Sequence, residues 1–189
     1  MSDNKKKALF ICLGNICRSP IAEGVFQKTV NDQNVGDEWE IDSAALGGWH
    51  VGNPPDYRAL DTMKKHNVPY NNTARQLITE DFNQYDYIFG MDNENMKELN
   101  RKAPKNSKAQ LLLFGDFDAE GDRIIRDPYY SSCYARGLRK EVPGSIPGRD
   151  TKIFFNVKVF IYIIFNLFVI FLDFGTETST SLPLVMIGL

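Results

Sequence analysis

The run Ala8-Leu9-Phe10-Ile11-Cys12 is short and apolar, with polar residues before it and Gly14 and Asn15 after it. An apolar stretch of that length, ended by turn-forming residues, predicts a buried strand of a parallel sheet. Ser19-Pro20 then reads as a helix start, with Ser at the cap and Pro at the first helical position. Ile21, Ala22, Val25, Phe26 and Val30 follow at helical spacing. The alternation repeats. Strands are predicted at 39–43, 85–91 and 110–114, and helices over 58–66 and through Met96 and Leu99. Such alternation implies an α/β fold, a parallel sheet with helices on both faces. Sites in these sheets lie beyond the carboxyl ends of the strands, where the loop 12–19 sits.

That loop reads Cys12-Leu13-Gly14-Asn15-Ile16-Cys17-Arg18-Ser19, a cysteine and an arginine separated by five residues. A loop of this length can curl so that successive backbone N–H groups point inward, forming an anion nest at a helix start. Gly14 and Asn15 are the residue types that most readily take the positive φ such a curl needs. Arg18 can add a planar fork to two phosphate oxygens. The same donors favour the thiolate form of Cys12, and the Ser19 hydroxyl can donate to it. A buried core cysteine is the plain alternative for Cys12. The strand before, Gly-Asn within and Ser-Pro after weigh against it. A sulfur nucleophile attacking phosphorus needs an acid for the leaving oxygen. Asp127 in Arg126-Asp127-Pro128-Tyr129-Tyr130 is the candidate, with Tyr129 and Tyr130 able to wall a pocket for an aromatic ring. An Asp-Pro pair is more often a simple turn.

Composition narrows the picture. The 189-residue chain is 43% hydrophobic and 24% charged, ordinary for one globular domain. A net charge of −2 gives no reason to expect a nucleic-acid partner. No signal-peptide pattern opens the chain, and three cysteines (Cys12, Cys17 and Cys133) are an odd number. Both point to reduced thiols and a cytoplasmic location for the first 130 residues. Asn71-Asn72-Thr73 matches a glycosylation acceptor that a cytosolic chain would never use. His50 and His66 form no metal-ligand cluster, and the chemistry calls for no metal and no cofactor.

The stretch from about 8 to 130 resembles the low-molecular-weight protein tyrosine phosphatases. The resemblance rests on C-L-G-N-I-C-R-S-P from Cys12 and D-P-Y-Y from Asp127, joined by Ile41-Asp42-Ser43-Ala44, Gly48-Trp49, Ala74-Arg75-Gln76 and Met91-Asp92. It implies a three-layer sandwich with a four-stranded parallel sheet, like phosphotyrosine protein phosphatase I. It also implies hydrolysis of phosphotyrosine in proteins, and of small aryl phosphates, through a phosphocysteine. Cys12 would be the nucleophile, Arg18 the phosphate clamp and Asp127 acid, then base. The backbone of Leu13, Gly14, Asn15, Ile16, Cys17 and Arg18 would hold the phosphoryl oxygens. Asn15 and Ser43 match loop-bracing positions, and Trp49, Tyr129 and Tyr130 match the substrate rim. Cys17 matches a cysteine that can form a reversible disulfide with Cys12, although a packing role for it stays open. Many members carry His where this chain has Asn72, which implies tuning rather than loss. His50, beside Trp49, is either a substrate-biasing rim residue or a solvated loop residue, and His66 reads as helix surface.

Residues 131–189 do not match. The family continues with an acidic stretch and a final amphipathic helix, which this chain lacks. Residues 1–130 are expected to form the phosphatase domain and 131–189 an atypical tail. In 153–172, 17 of 20 residues are apolar. Three readings stay open: a membrane anchor weakened by Lys158, Asn156 and Asn166; replacement core packing; or a splice or gene-model product. The last rests on codon bias, since 17 of the 23 residues in 152–174 are Phe, Ile, Asn, Lys or Tyr. A membrane partner enters only if 153–172 is a genuine anchor. Losing the final helix predicts low solubility and reduced activity. Two rival functions remain: an arsenate reductase, which would need resolving cysteines better placed than Cys133, and a non-catalytic phosphate-binding regulator.

Overall fold

The computed structural model describes residues 5–118 and 121–128. Tyr129, Tyr130, Cys133 and the 153–172 run lie outside the described residues.

Four parallel strands, β1 (Lys6–Cys12), β2 (Trp39–Ala45), β3 (Tyr87–Gly90) and β4 (Gln110–Leu113), form one sheet in the order β2-β1-β3-β4. The order reverses at β1: the chain first steps out to β2, then crosses back to β3. A crevice therefore opens at the carboxyl end of β1, where doubly wound sheets bind ligands. The expected strand at 85–91 is shorter at both ends. Tyr85 and Asp86 stand before it, and the Asp86 carboxylate accepts the Lys7 N–H at 2.8 Å.

Strand alternation places the two cores. Ala8, Phe10 and Cys12 face one side, where α1 (Arg18–Asp32) contributes Ile21, Ala22, Val25, Phe26 and Val30 and α2 (Tyr57–Lys65) contributes Ala59 and Met63. Leu9 and Ile11 face the other side, packed with Phe82 of α3 (Asp81–Gln84) and Leu99 of α4 (Asn93–Lys102). These two apolar layers make the three-layer sandwich. Residues 8–12 are all within 3% of full burial, which removes water from the base of the crevice. The four-residue α3 has no counterpart in the sequence pattern, because one turn is too short to show a period.

The start of α1 departs from the capping expectation. The helix begins at Arg18, Cys17 holds the cap position, and no side chain caps it. The Ser19 hydroxyl is engaged elsewhere, at the Cys12 sulfur.

Candidate active site

β1 ends at Cys12 and α1 starts at Arg18, so the intervening loop must reverse within five residues. Asn15 makes the reversal, at φ 54°. Gly14, the other residue expected at positive φ, is not one of them. Its missing side chain serves a close approach instead: a Cβ there would lie 3.0 Å from His50 Cδ2. The neighbouring backbone holds the loop shut. Leu46 N–H donates to Cys12 O at 3.0 Å, Gly47 N–H to Leu13 O at 3.0 Å, and Asp56 N–H to Ile16 O at 2.8 Å.

Behind the loop the hydrogen bonds have a definite sense. Asn15 N–H points at Cys12 Sγ, 3.3 Å away. Asn15 Nδ2 donates to Ser19 Oγ and to Ser43 Oγ, both at 2.8 Å, which uses both its protons. Ser19 Oγ accepts from Asn15 and lies 3.1 Å from Cys12 Sγ, so its single proton is left for the sulfur. Ser43 in turn donates to Glu23 Oε2 at 2.6 Å, and that carboxylate also accepts from Tyr70 at 2.6 Å and Asn72 at 3.1 Å. Asn72 thus keeps a donor role. Burial pushes the Glu23 carboxyl up from its ordinary value, and the hydrogen bonds from Ser43, Tyr70 and Asn72 pull it back only in part.

In front of the loop is a cavity of about 340 Å³ lined by Cys12, Leu13, Gly14, Ile16, Cys17, Arg18, Trp49, His50 and Asp127. The Arg18 side chain is 2% exposed and held by three groups. Nη1 donates to Asp92 Oδ2 at 2.5 Å and to Ile125 O at 2.8 Å, and Nη2 to Asp127 Oδ2 at 2.6 Å. Burial opposes its charge, yet Cys12, Asp127 and Asp92 hold the guanidinium's pKa above the ordinary value. Its Nε–H is buried and finds no acceptor among the described residues, a donor of the kind an oxyanion would satisfy. Burial, with Asp56, Cys12 and Asp127 adding to it, pushes the Cys17 thiol up to about 12. Both Cys12 and Cys17 are free.

The cavity thus brings together a sulfur, a guanidinium and a carboxylate at the carboxyl end of β1. Asn15 and Ser19 stand just behind, on the sulfur. Trp49 is 71% exposed at the rim, and His50 is a half-buried lining residue rather than a freely solvated one. His66 is exposed at the end of α2. Asp92, Glu23 and Arg75 carry no role in the sequence reading. For Asp92 a signal existed: an Asp directly after a strand and before a helix marks an N-cap, and its Oδ1 accepts Asn95 N–H at 2.7 Å. Among the described residues no group of three or more His, Cys, Asp or Glu could hold a metal.

The family model for "Low molecular weight phosphotyrosine protein phosphatase" matches residues 7–142. The chain belongs to this family. It is 52% identical over 129 residues to the Homo sapiens low molecular weight phosphotyrosine protein phosphatase, covering 67% of this chain and 82% of that one. It is 58% identical over 126 residues to low molecular weight phosphotyrosine protein phosphatase 1 of Drosophila melanogaster, covering 66% and 81%. The crystal structure of a protein tyrosine phosphatase from Entamoeba histolytica, with Hepes in its active site, superposes at a TM-score of 0.75. That pair is 28% identical and covers 91% of this chain and all of the other. The fold and the phosphatase class follow from membership: the chain is a phosphoric monoester hydrolase of the phosphotyrosine type. No helix among the described residues is long and apolar enough to cross a membrane.

Proposed function

We propose that Cys12, Arg18 and Asp127 carry out the hydrolysis of phosphotyrosine in proteins, and of small aryl phosphates, by two in-line displacements. The supporting observation is that the Cys12 sulfur faces two donors, Ser19 O–H and Asn15 N–H, in a cavity it shares with the Arg18 guanidinium and the Asp127 carboxyl. Two donors on one sulfur hold it in place and would meet the charge it carries as nucleophile and as leaving group.

In the first step Cys12 Sγ forms a bond to phosphorus while the bond from phosphorus to the tyrosyl oxygen breaks. Asp127 gives its proton to that oxygen, so tyrosine leaves neutral. In the second step water attacks phosphorus and the sulfur–phosphorus bond breaks. Asp127, now a carboxylate, takes the water's proton and is ready for the next turnover. Arg18 and the backbone N–H groups of Leu13, Gly14, Asn15, Ile16, Cys17 and Arg18 bind the phosphoryl oxygens in both steps. An incoming phosphate competes for the guanidinium fork. Substrate binding thereby releases Asp127 from Arg18 when a proton donor is needed.

Trp49 gives an aromatic face at the mouth. Tyr129 and Tyr130 follow the acid directly in sequence, and the family resemblance assigns them, with Trp49, to the substrate rim. A mechanism that needs an unoxidised Cys12 fits the cytoplasm. Tyrosine-phosphorylated proteins there are the partners we assign, with no nucleic acid and no cofactor.

The test is rapid-mixing hydrolysis of p-nitrophenyl phosphate by the full chain and two variants. A burst of nitrophenolate stoichiometric with enzyme is expected, absent in Cys12→Ser. Asp127→Ala should slow phenyl phosphate far more than p-nitrophenyl phosphate, because nitrophenolate leaves without a proton. A chain that binds phosphate but gives no turnover would overturn the catalytic assignment in favour of a binding module.

A further inference from the structure

Arg75 lies outside the cavity, on the segment that follows residue 74 and bridges to β2 at Ala45↔Gln76. Its guanidinium is gripped by two acids from different elements. Nε donates to Asp42 Oδ2 at 2.7 Å, while Nη1 and Nη2 donate to Asp81 Oδ2 and Oδ1 at 3.0 and 3.3 Å. Tyr85 O–H completes the cluster by donating to Asp42 Oδ2 at 3.2 Å. Asp42 belongs to β2 and Asp81 begins α3, so Arg75 ties a sheet strand to the opposite helical layer.

The main chain of the same residue has a separate contact. Arg75 N–H donates to Asn15 Oδ1 at 3.0 Å. An amide side chain can sit either way round, and this N–H decides which. With oxygen facing Arg75, the Asn15 Nδ2 protons reach Ser19 and Ser43. Flipped, the amide would set N–H against N–H, and Ser19 would face an acceptor that draws its proton away from the sulfur.

We propose that Arg75 is a positioning residue for the nucleophile. Its side chain, locked by Asp42 and Asp81, holds its own backbone N–H on Asn15 Oδ1 and so directs the Ser19 hydroxyl proton onto Cys12. The inference rests on Cys12 being the nucleophile, and its readout is chosen so that the two can fail separately.

The experiment is the pH profile of Cys12 alkylation by iodoacetate in the full chain, followed by mass spectrometry, beside thermal unfolding and steady-state kinetics. Arg75→Gln breaks both ion pairs while retaining a polar side chain. Its alkylation midpoint should move up by about half to one pH unit, the size expected for weakening one hydrogen bond to a thiolate. kcat should fall about three- to tenfold with KM within about twofold. Arg75→Lys, which keeps the charge but not the fork, should fall between. Asp81→Asn leaves Arg75 in place and weakens its anchor, so it tests the idea if Arg75→Gln does not fold. It should shift the profile in the same direction. A lowered melting temperature with an unmoved alkylation profile in these variants would reduce Arg75 to a structural ion pair and overturn the proposal. Loss of burst kinetics in the unsubstituted chain would instead strike the catalytic assignment.

Discussion

Arg18 Nη1 lies 2.5 Å from Asp92 Oδ2, while the other oxygen of Asp92 accepts Asn95 N–H and caps α4. One carboxylate thus orients the guanidinium proposed as phosphate clamp and starts the helix that follows β3. The two duties separate by substitution. Asp92→Ala should lose about 1 kcal/mol of stability through the cap, and kcat/KM should drop about 10- to 100-fold as the guanidinium loses its aim. Asp92→Ser can still cap but cannot pair with Arg18. It should therefore recover most of the stability in urea unfolding and little of the activity. Equal recovery of both would show that Arg18 does not need Asp92 for its aim.

Glu23 gives the fold a pH dependence of stated sign. Its carboxyl is raised in the folded state, chiefly by burial, above its ordinary value. A raised carboxyl binds its proton more tightly folded than unfolded. Its stabilising contribution is complete below the unfolded pKa, about 4.3, and is lost as pH rises through the folded one. Glu23→Gln cannot titrate. In urea unfolding at a series of pH values, the unsubstituted chain should lose stability relative to Glu23→Gln as pH rises from about 4. A constant difference across that range would mean that Glu23 titrates alike in both states.

How much of this was legible beforehand depends on sequence distance. β1, the loop after it and α1 are contiguous, so Cys12, Arg18 and the helix following them could be read from pattern and loop chemistry alone. Asp127 needed the family resemblance, because an Asp-Pro pair is usually a turn. Asp92, Glu23 and Arg75 act through side-chain or backbone contacts spanning 74, 20 and 60 residues, and no local pattern encodes such pairings. Ser19 carries two readings, a helix cap and a donor to the sulfur, and the fold keeps the second. Its hydroxyl accepts from the Asn15 amide and lies 3.1 Å from Cys12 Sγ, which leaves no cap. Gly14 looked like a turn residue, yet its bareness admits His50.

Cys17 should be inert beside a reactive neighbour. Its thiol is pushed up to about 12, chiefly by burial, so at pH 7 it is held neutral. Brief iodoacetate treatment of the native chain at pH 7 should label Cys12 and leave Cys17 unlabelled, whereas both label after unfolding. Inorganic phosphate should slow the Cys12 reaction by occupying the cavity. Peptide mapping of the labelled chain distinguishes the two sites. Comparable labelling of Cys12 and Cys17 in the native state would mean that the Cys17 thiol is not held neutral. A neutral Cys17 should also make the Cys12–Cys17 disulfide that the family resemblance implies form more slowly at neutral than at alkaline pH.

The rim depends on a second bare backbone position. A Cβ on Gly47 would sit 1.8 Å from Trp49 Cζ3, so the indole occupies space that only glycine leaves free. Gly47→Ala must push the ring off the wall of the cavity. In the proposed mechanism Trp49 meets the substrate's aromatic ring, not the phosphoryl group, and would contribute to ground state and transition state alike. Its displacement should raise KM about three- to tenfold, the value of one aromatic contact, with kcat within about twofold. Aryl phosphates should feel the change, while inhibition by inorganic phosphate, which lacks a ring, should not. A fall in kcat with KM unchanged would mean that Gly47 supports the phosphate loop through its N–H to Leu13 O rather than through Trp49.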